Sequence, residues 1–137
     1  MSDIKITVEE RAGRRCALSG SKWEPIMGYS RAVRSGNTIA VTGCVGINAD
    51  GTYSKTFAEQ TARSLAIIQA AIEALGGKLE HVIRTRMYVT DVSKWEEVAR
   101  VHGSVFKDIR PATTIVEVAR LIDGDAVIEI EADAIVE

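Results

Sequence analysis

Three carboxylates stand at alternate positions near the end of the chain: Glu129, Glu131 and Asp133. In an extended strand alternate residues share a face. The three therefore lie side by side between Val127 and Ile135, while Ile128, Ile130, Ala132, Ala134 and Val136 form an apolar opposite face. Like charges this close repel and need water or cations beside them. Arg84 and Arg86, which alternate with Tyr88 on an earlier stretch, and Arg120, just ahead of the acidic segment, are the candidate partners. Two outcomes stay open: a solvated, charge-paired back to a sheet, or a subunit interface with pockets in it. One of the three carboxylates is expected to face a water in a cleft, where it can act as a general base, rather than sit in a plain ion pair.

The other reactive side chains point to less. Cys16 and Cys44 form no CxxC pair, and His81 and His102 are not spaced with them as metal ligands, so no metal site is expected. The cysteines read as small buried hydrophobes. His102 reads as a surface or satisfied core histidine rather than a base. Arg11, Arg14 and Arg15 form the only basic cluster, a solvated face by preference. The formal net charge is −2, without the cationic excess that marks a nucleic-acid binder. Met1-Ser-Asp-Ile-Lys5 has no apolar leader, and no later stretch is long enough to span a bilayer. A cytoplasmic protein with no membrane partner is expected.

The elements that must carry these residues follow from periodicity. At 137 residues, 46% apolar and 26% charged, the chain suits a single domain over 1–137 with one core. Alternation predicts a strand over Ile4–Val8 and a second at Ala17–Ser19. Ser21–Ser30 is rich in turn residues. Arg31–Arg34, Gly36-Asn37 and Thr38–Val45 read as a hairpin, and Asn48–Gly51 as another turn. A helix is predicted from Thr56, with Glu59 completing a capping box, Phe57, Leu65, Ile68, Ile72 and Leu75 as its apolar stripe, and Gly76-Gly77 as its stop. A strand over Val82–Thr90 follows. A second helix is predicted from Ser93 with the stripe Trp95, Val98, Ala99, Val105 and Phe106, weakened by Gly103. After Pro111 come strands over Thr114–Leu121 and Ala126–Val136, joined by Asp123-Gly124-Asp125. This order makes an α+β fold: a mixed sheet with both helices on one face.

Several stretches together resemble the RidA/YjgF (Rid, reactive intermediate deaminase) family. Arg110-Pro-Ala-Thr-Thr-Ile-Val-Glu-Val-Ala-Arg-Leu121 followed by Val127–Ala132 is similar to its C-terminal signature. Gly28-Tyr-Ser-Arg-Ala-Val33, Gly36-Asn37, Glu59-Gln-Thr61, Gly76-Gly77 and Val89-Thr-Asp91 match in place. The resemblance covers about Gly28 to Ala134. It implies a chorismate-mutase-like fold, a homotrimer, and ligand clefts between neighbouring subunits. It further implies hydrolysis of reactive enamines and imines such as 2-aminoacrylate, with no metal or organic cofactor. Older labels of that family, translation inhibitor and endoribonuclease, find no support in the net acidity.

The resemblance also sets expectations residue by residue. The family's water-positioning glutamate matches Glu129, and its site aromatic matches Tyr29. Its deaminases carry an arginine two residues after the signature proline, where a guanidinium grips the substrate carboxylate through two parallel bonds. Here Pro111 and Ala112 are followed by Thr113, and the often-cysteine position two further on is Ile115. One hydroxyl cannot replace the fork, so standard 2-aminoacrylate deamination is expected to be weak or absent. Arg31, Arg84 and Arg120 are the candidate substitutes. The chain thus reads as a divergent member acting on, or binding, a small reactive metabolite, with Glu129 activating water and Tyr29, Thr113 and Ile115 lining the cleft. The alternatives are a non-catalytic metabolite-binding trimer or a protein-interaction module. Under those, Glu129 would pair with an arginine and Tyr29 would pack at a subunit boundary. Trp23 and Glu24 receive no role from the sequence.

Overall fold

A computed structural model describes residues 3–137. Met1 and Ser2, where the leaderless reading of the N-terminus begins, lie outside the described residues. Seven strands form one sheet: β1 (Thr7–Arg11), β2 (Arg14–Leu18), β3 (Ala32–Ser35), β4 (Thr38–Val45), β5 (Val82–Val89), β6 (Ala112–Glu117) and β7 (Ile128–Ile135). Their spatial order is β1-β2-β3-β4-β7-β5-β6. Only β5 and β6 pair in parallel; the other neighbours are antiparallel. The parallel pair is joined by a long connection that carries a helix across the sheet, as a crossover requires.

The helices α2 (Phe57–Ala74) and α3 (Trp95–Phe106) pack together over one face. Thr56 caps α2, accepting the Glu59 N–H at 3.1 Å while its hydroxyl donates to the Glu59 carboxylate at 2.9 Å. Gly76, at φ 84°, ends it, and the Gly77 N–H returns to the Ile72 carbonyl at 2.9 Å. The core joins Leu65, Ile68 and Ile72 of α2 to Val98 and Phe106 of α3 and to Ile128, Ile130, Ala132 and Ala134 of β7. The apolar face foreseen for the last strand is thus the one beneath the helices. This mixed sheet with helices on one side is the chorismate-mutase-like fold.

Several boundaries and one helix face differ from the sequence reading; the second strand, for one, begins at Arg14 rather than Ala17 because it pairs with β1 from there. The first strand begins at Thr7 rather than Ile4, because its register follows β2; Ile4 and Ile6 pack against the core ahead of it. The turn-rich stretch contains a short helix, α1 (Trp23–Met27), with Pro25 in its first turn where a missing N–H costs nothing. The stripe of α3 is Val98, His102 and Phe106, flanked by Val101 and Val105 against the core; Trp95 and Ala99 face outward, and Asp91 caps a 3-10 turn at Val92–Lys94 before the α-helix starts. Strand β6 stops at Glu117 rather than Leu121, since its one partner, β5, stops at Val89. Arg120 therefore lies beyond the sheet.

Candidate functional site

The uncovered face of the sheet carries the three carboxylates. On β5, Tyr88 lies opposite Glu129, Arg86 opposite Glu131 and Arg84 opposite Asp133. The Arg86 guanidinium reaches Asp133 at 3.1 Å and Glu131 at 3.5 Å, and the Tyr88 hydroxyl donates to Glu131 at 2.9 Å. Glu131 and Asp133 are thereby satisfied. Glu129 is not: no hydrogen bond or ion pair reaches its carboxylate from the described residues. Burial is the main force raising its pKa, repulsion from Glu131 adds to it, and Arg31 opposes them.

Room for the Glu129 side chain comes from β4. The β4–β7 register slips between Val41 and Cys44, a bulge. Gly43 lies in the slipped stretch, and a Cβ there would sit 2.6 Å from Glu129 Oε2. The carboxylate rests against bare backbone that no other residue type would leave free. A glycine inside a strand pattern is the sequence signal for such a close approach.

Beside Glu129 opens a cleft of about 690 Å³, lined among others by Trp23, Tyr29, Arg31, Cys44 and Tyr53. Trp23 arrives on α1, which Gly28 terminates at φ 73°. Arg31 is set just before β3 by its backbone: its N–H donates to the Ala17 carbonyl at 2.8 Å, and its carbonyl accepts from Thr42 at 2.9 Å. Tyr53 donates to Asp123 at 3.1 Å and so ties the loop ahead of β7 to the cleft wall. Burial, followed by the bond to Asp123, pushes the Tyr53 phenol well above its ordinary pKa. Cys44 is buried beneath the floor, and burial pushes its thiol pKa up, as suits an unreactive thiol.

Under the cleft lies a buried ion pair. Glu24 is 4% exposed and Arg31 is 6% exposed. Their closest N···O approach is 3.5 Å. The Glu24 carboxylate also accepts the Ser19 N–H at 3.2 Å and the Ser19 hydroxyl. Sequence reasoning left Glu24 without a role and passed over Gly43 and Tyr53.

The residues named from the sequence divide into two groups. Tyr29 and Glu129 share the cleft, with Arg31 between Tyr29 and the strand floor. Thr113 and Ile115 stand on β6 on the helix side of the sheet. Thr113 shares a 2.6 Å hydrogen bond with Thr85, whose hydroxyl meets His102 Nε2 at 2.9 Å, and Ile115 packs on the core. Within one chain the sheet separates them from Glu129, so only a neighbouring copy could bring them to a cleft. His102 is a satisfied core histidine whose pKa burial lowers. Arg84 is exposed and away from this cleft. Among the described residues no cluster of His, Cys, Asp and Glu has metal-binding geometry. No helix among them is long and apolar enough to cross a membrane.

A family model described as Endoribonuclease L-PSP matches residues 19–136. The chain belongs to this family, the RidA/YjgF proteins. It superimposes on a YjgF/YER057c/UK114 family member from Mycobacterium tuberculosis with a TM-score of 0.84 and 45% identity, covering 90% of this chain and 99% of that one. It is 35% identical to a RutC family protein of Pyrococcus abyssi over 113 residues, 81% of this chain and 88% of the relative. It is 28% identical to the 2-iminobutanoate/2-iminopropanoate deaminase of Dermatophagoides farinae over 116 residues, 83% of this chain and 90% of the relative. Some RidA/YjgF proteins thus deaminate imines, and this chain shares their fold over most of its length.

Proposed function

We propose that this RidA/YjgF protein hydrolyses a small reactive imine, enamine or related carbonyl compound, with Glu129 activating the water and Tyr29 orienting the substrate. The observation that carries this reading is Glu129 itself: alone among the three carboxylates on its face it has no hydrogen-bond or ion-pair partner among the described residues, and it lines the cleft. A raised pKa brings a carboxyl closer to working pH, where it can both take and return a proton. In the reaction, the Glu129 carboxylate takes a proton from water as the water oxygen bonds to the imine carbon. The C=N electron pair moves to nitrogen, which is protonated from solvent. The carbinolamine then collapses: its hydroxyl gives its proton to solvent as the C=O forms, its C–N bond breaks, Glu129 returns its proton to the departing nitrogen, and a carbonyl compound and ammonia leave.

Thr113 stands where the deaminases' carboxylate-binding arginine is expected, so the preferred substrate is one that needs no such clamp. Losing a charge-assisted bidentate contact costs on the order of 2–5 kcal/mol, and each 1.36 kcal/mol is about tenfold in rate. Against 2-aminoacrylate, kcat/KM is therefore expected to fall roughly two orders of magnitude or more below that of an arginine-bearing relative. A homotrimer completes the reading, because it is what would bring Thr113 and Ile115 of one copy toward the cleft of the next. Ammonia release from a panel of imines and enamines tests the activity. Glu129→Gln is expected to abolish any turnover found while leaving the melting temperature intact. Light scattering is expected to give about three chain masses, and a stable monomer would remove the inter-subunit cleft.

A further inference from the structure

We infer that Arg31, held from behind by Glu24, is a positioning residue that fixes the Tyr29 hydroxyl as a hydrogen-bond donor into the cleft. The guanidinium is pinned by its Nη1 to the Gly43 carbonyl at 2.8 Å. Its Nη2 spans Glu24 at 3.5 Å and the Tyr29 oxygen at 3.3 Å, and its carbon lies 5.5 Å from the centre of the Tyr29 ring. Arg31 can only donate. Tyr29 must therefore accept, and its own O–H proton has no acceptor among the described residues. Tyr29 lines the cleft, so its unused proton is available to whatever enters.

A cation at the phenol oxygen strengthens it as a donor, since charge-assisted bonds are the stronger kind. Glu24 in turn keeps the cation from being an unpaired buried charge. For stability alone, apolar side chains of similar volume would serve as well as such a pair, because both ions must be desolvated. Its place directly under Tyr29 assigns it a different task. The group Tyr29 selects is then a heteroatom with a lone pair, the nitrogen of a neutral C=N or the oxygen of a C=O, held across the cleft from Glu129. This rests on the cleft being the ligand site, as proposed above, but does not require turnover.

Calorimetric titration with pyruvate and with its uncharged amide, pyruvamide, tests the assignment, since both present a ketone oxygen. Tyr29→Phe is expected to weaken both probes roughly two- to tenfold, the range of one lost neutral hydrogen bond. Arg31→Gln is expected to do the same, and Arg31→Gln in the Tyr29→Phe background to add nothing, because the effect passes through Tyr29. Should Arg31→Gln unfold the protein by stranding Glu24, the double variant Glu24→Gln with Arg31→Gln removes both charges, and Tyr29→Phe should be silent in it. Additive losses, a loss in Arg31→Gln confined to anionic pyruvate, or no binding of either probe by the wild type would each overturn the proposal. Binding that follows this cycle without hydrolysis of any imine would sink the hydrolase reading alone. Hydrolysis with probe binding indifferent to Tyr29→Phe would sink this proposal, and with it the orienting role of Tyr29, while leaving the hydrolase reading standing.

Discussion

Arg86 and Arg31 both meet carboxylates, and the same chemistry does different work at each. Arg86 stands on the open back of the sheet, its side chain 41% exposed, bridging Glu131 and Asp133. Arg31 stands under the cleft with its side chain 8% exposed, against Glu24 at 6%. Water screens the first pair and shares its charges, so its removal leaves nothing stranded. The second pair has no water to fall back on, so each partner depends on the other. Between them sits Glu129, which belongs to neither: half-buried, unpaired, and facing the cleft. The difference teaches that burial decides whether an ion pair is a screened surface contact or a mutual dependence.

The comparison breaks most visibly at Arg31. Arg31→Met strands the buried Glu24 carboxylate and is expected to cost about 3–5 kcal/mol in urea unfolding. A loss under 1 kcal/mol would put Glu24 in contact with water and erase the contrast. Next in size, Gly43→Ala forces a Cβ to 2.6 Å from Glu129 Oε2. Overpacking of this kind costs typically about 1–3 kcal/mol, and the displaced carboxylate should lose any turnover it supports; a crystal structure of the variant would show the shift. Arg86→Met is expected to change stability by only about 0–1 kcal/mol, and a larger loss would mean that this back face is buried in an assembly.

The smallest effect is one of pH. Because the folded state raises the pKa of Glu129, it binds the proton more tightly than the unfolded chain does. The stability this contributes is complete below the ordinary glutamate value of about 4.3 and is lost as pH rises through the raised folded value. Glu129→Gln removes that dependence. The variant should be at least as stable as the wild type near neutral pH, and its thermal midpoint should change less between pH 4 and pH 7, as followed by circular dichroism. A wild type that instead gains from Glu129 ionisation would point to a cationic partner in the assembled protein.

Most of the architecture was legible without coordinates, because it rests on local rules. The Thr56–Glu59 cap, the Gly76-Gly77 stop, the Gly36-Asn37 hairpin and the alternation of the last strand each need only a few neighbouring residues to act. The same alternation placed Glu129, Glu131 and Asp133 on one face, and the resemblance singled out Glu129 and Tyr29. Where a boundary was misread, a distant partner had decided it: β2 sets where β1 starts, and the end of β5 sets where β6 stops. Which carboxylate stays unpaired was beyond the sequence as well, since it follows from β5 placing Arg86 beside Glu131 and Asp133 and from a β4 bulge clearing space at Gly43. Glu24 and Arg31 are seven positions apart, with the rest of α1 and its glycine stop between them, and no periodicity links them. Their pairing, and the sheet that holds Thr113 away from Glu129 within one chain, exist only once the strands have assembled, because desolvation acts on neighbours in space rather than along the chain.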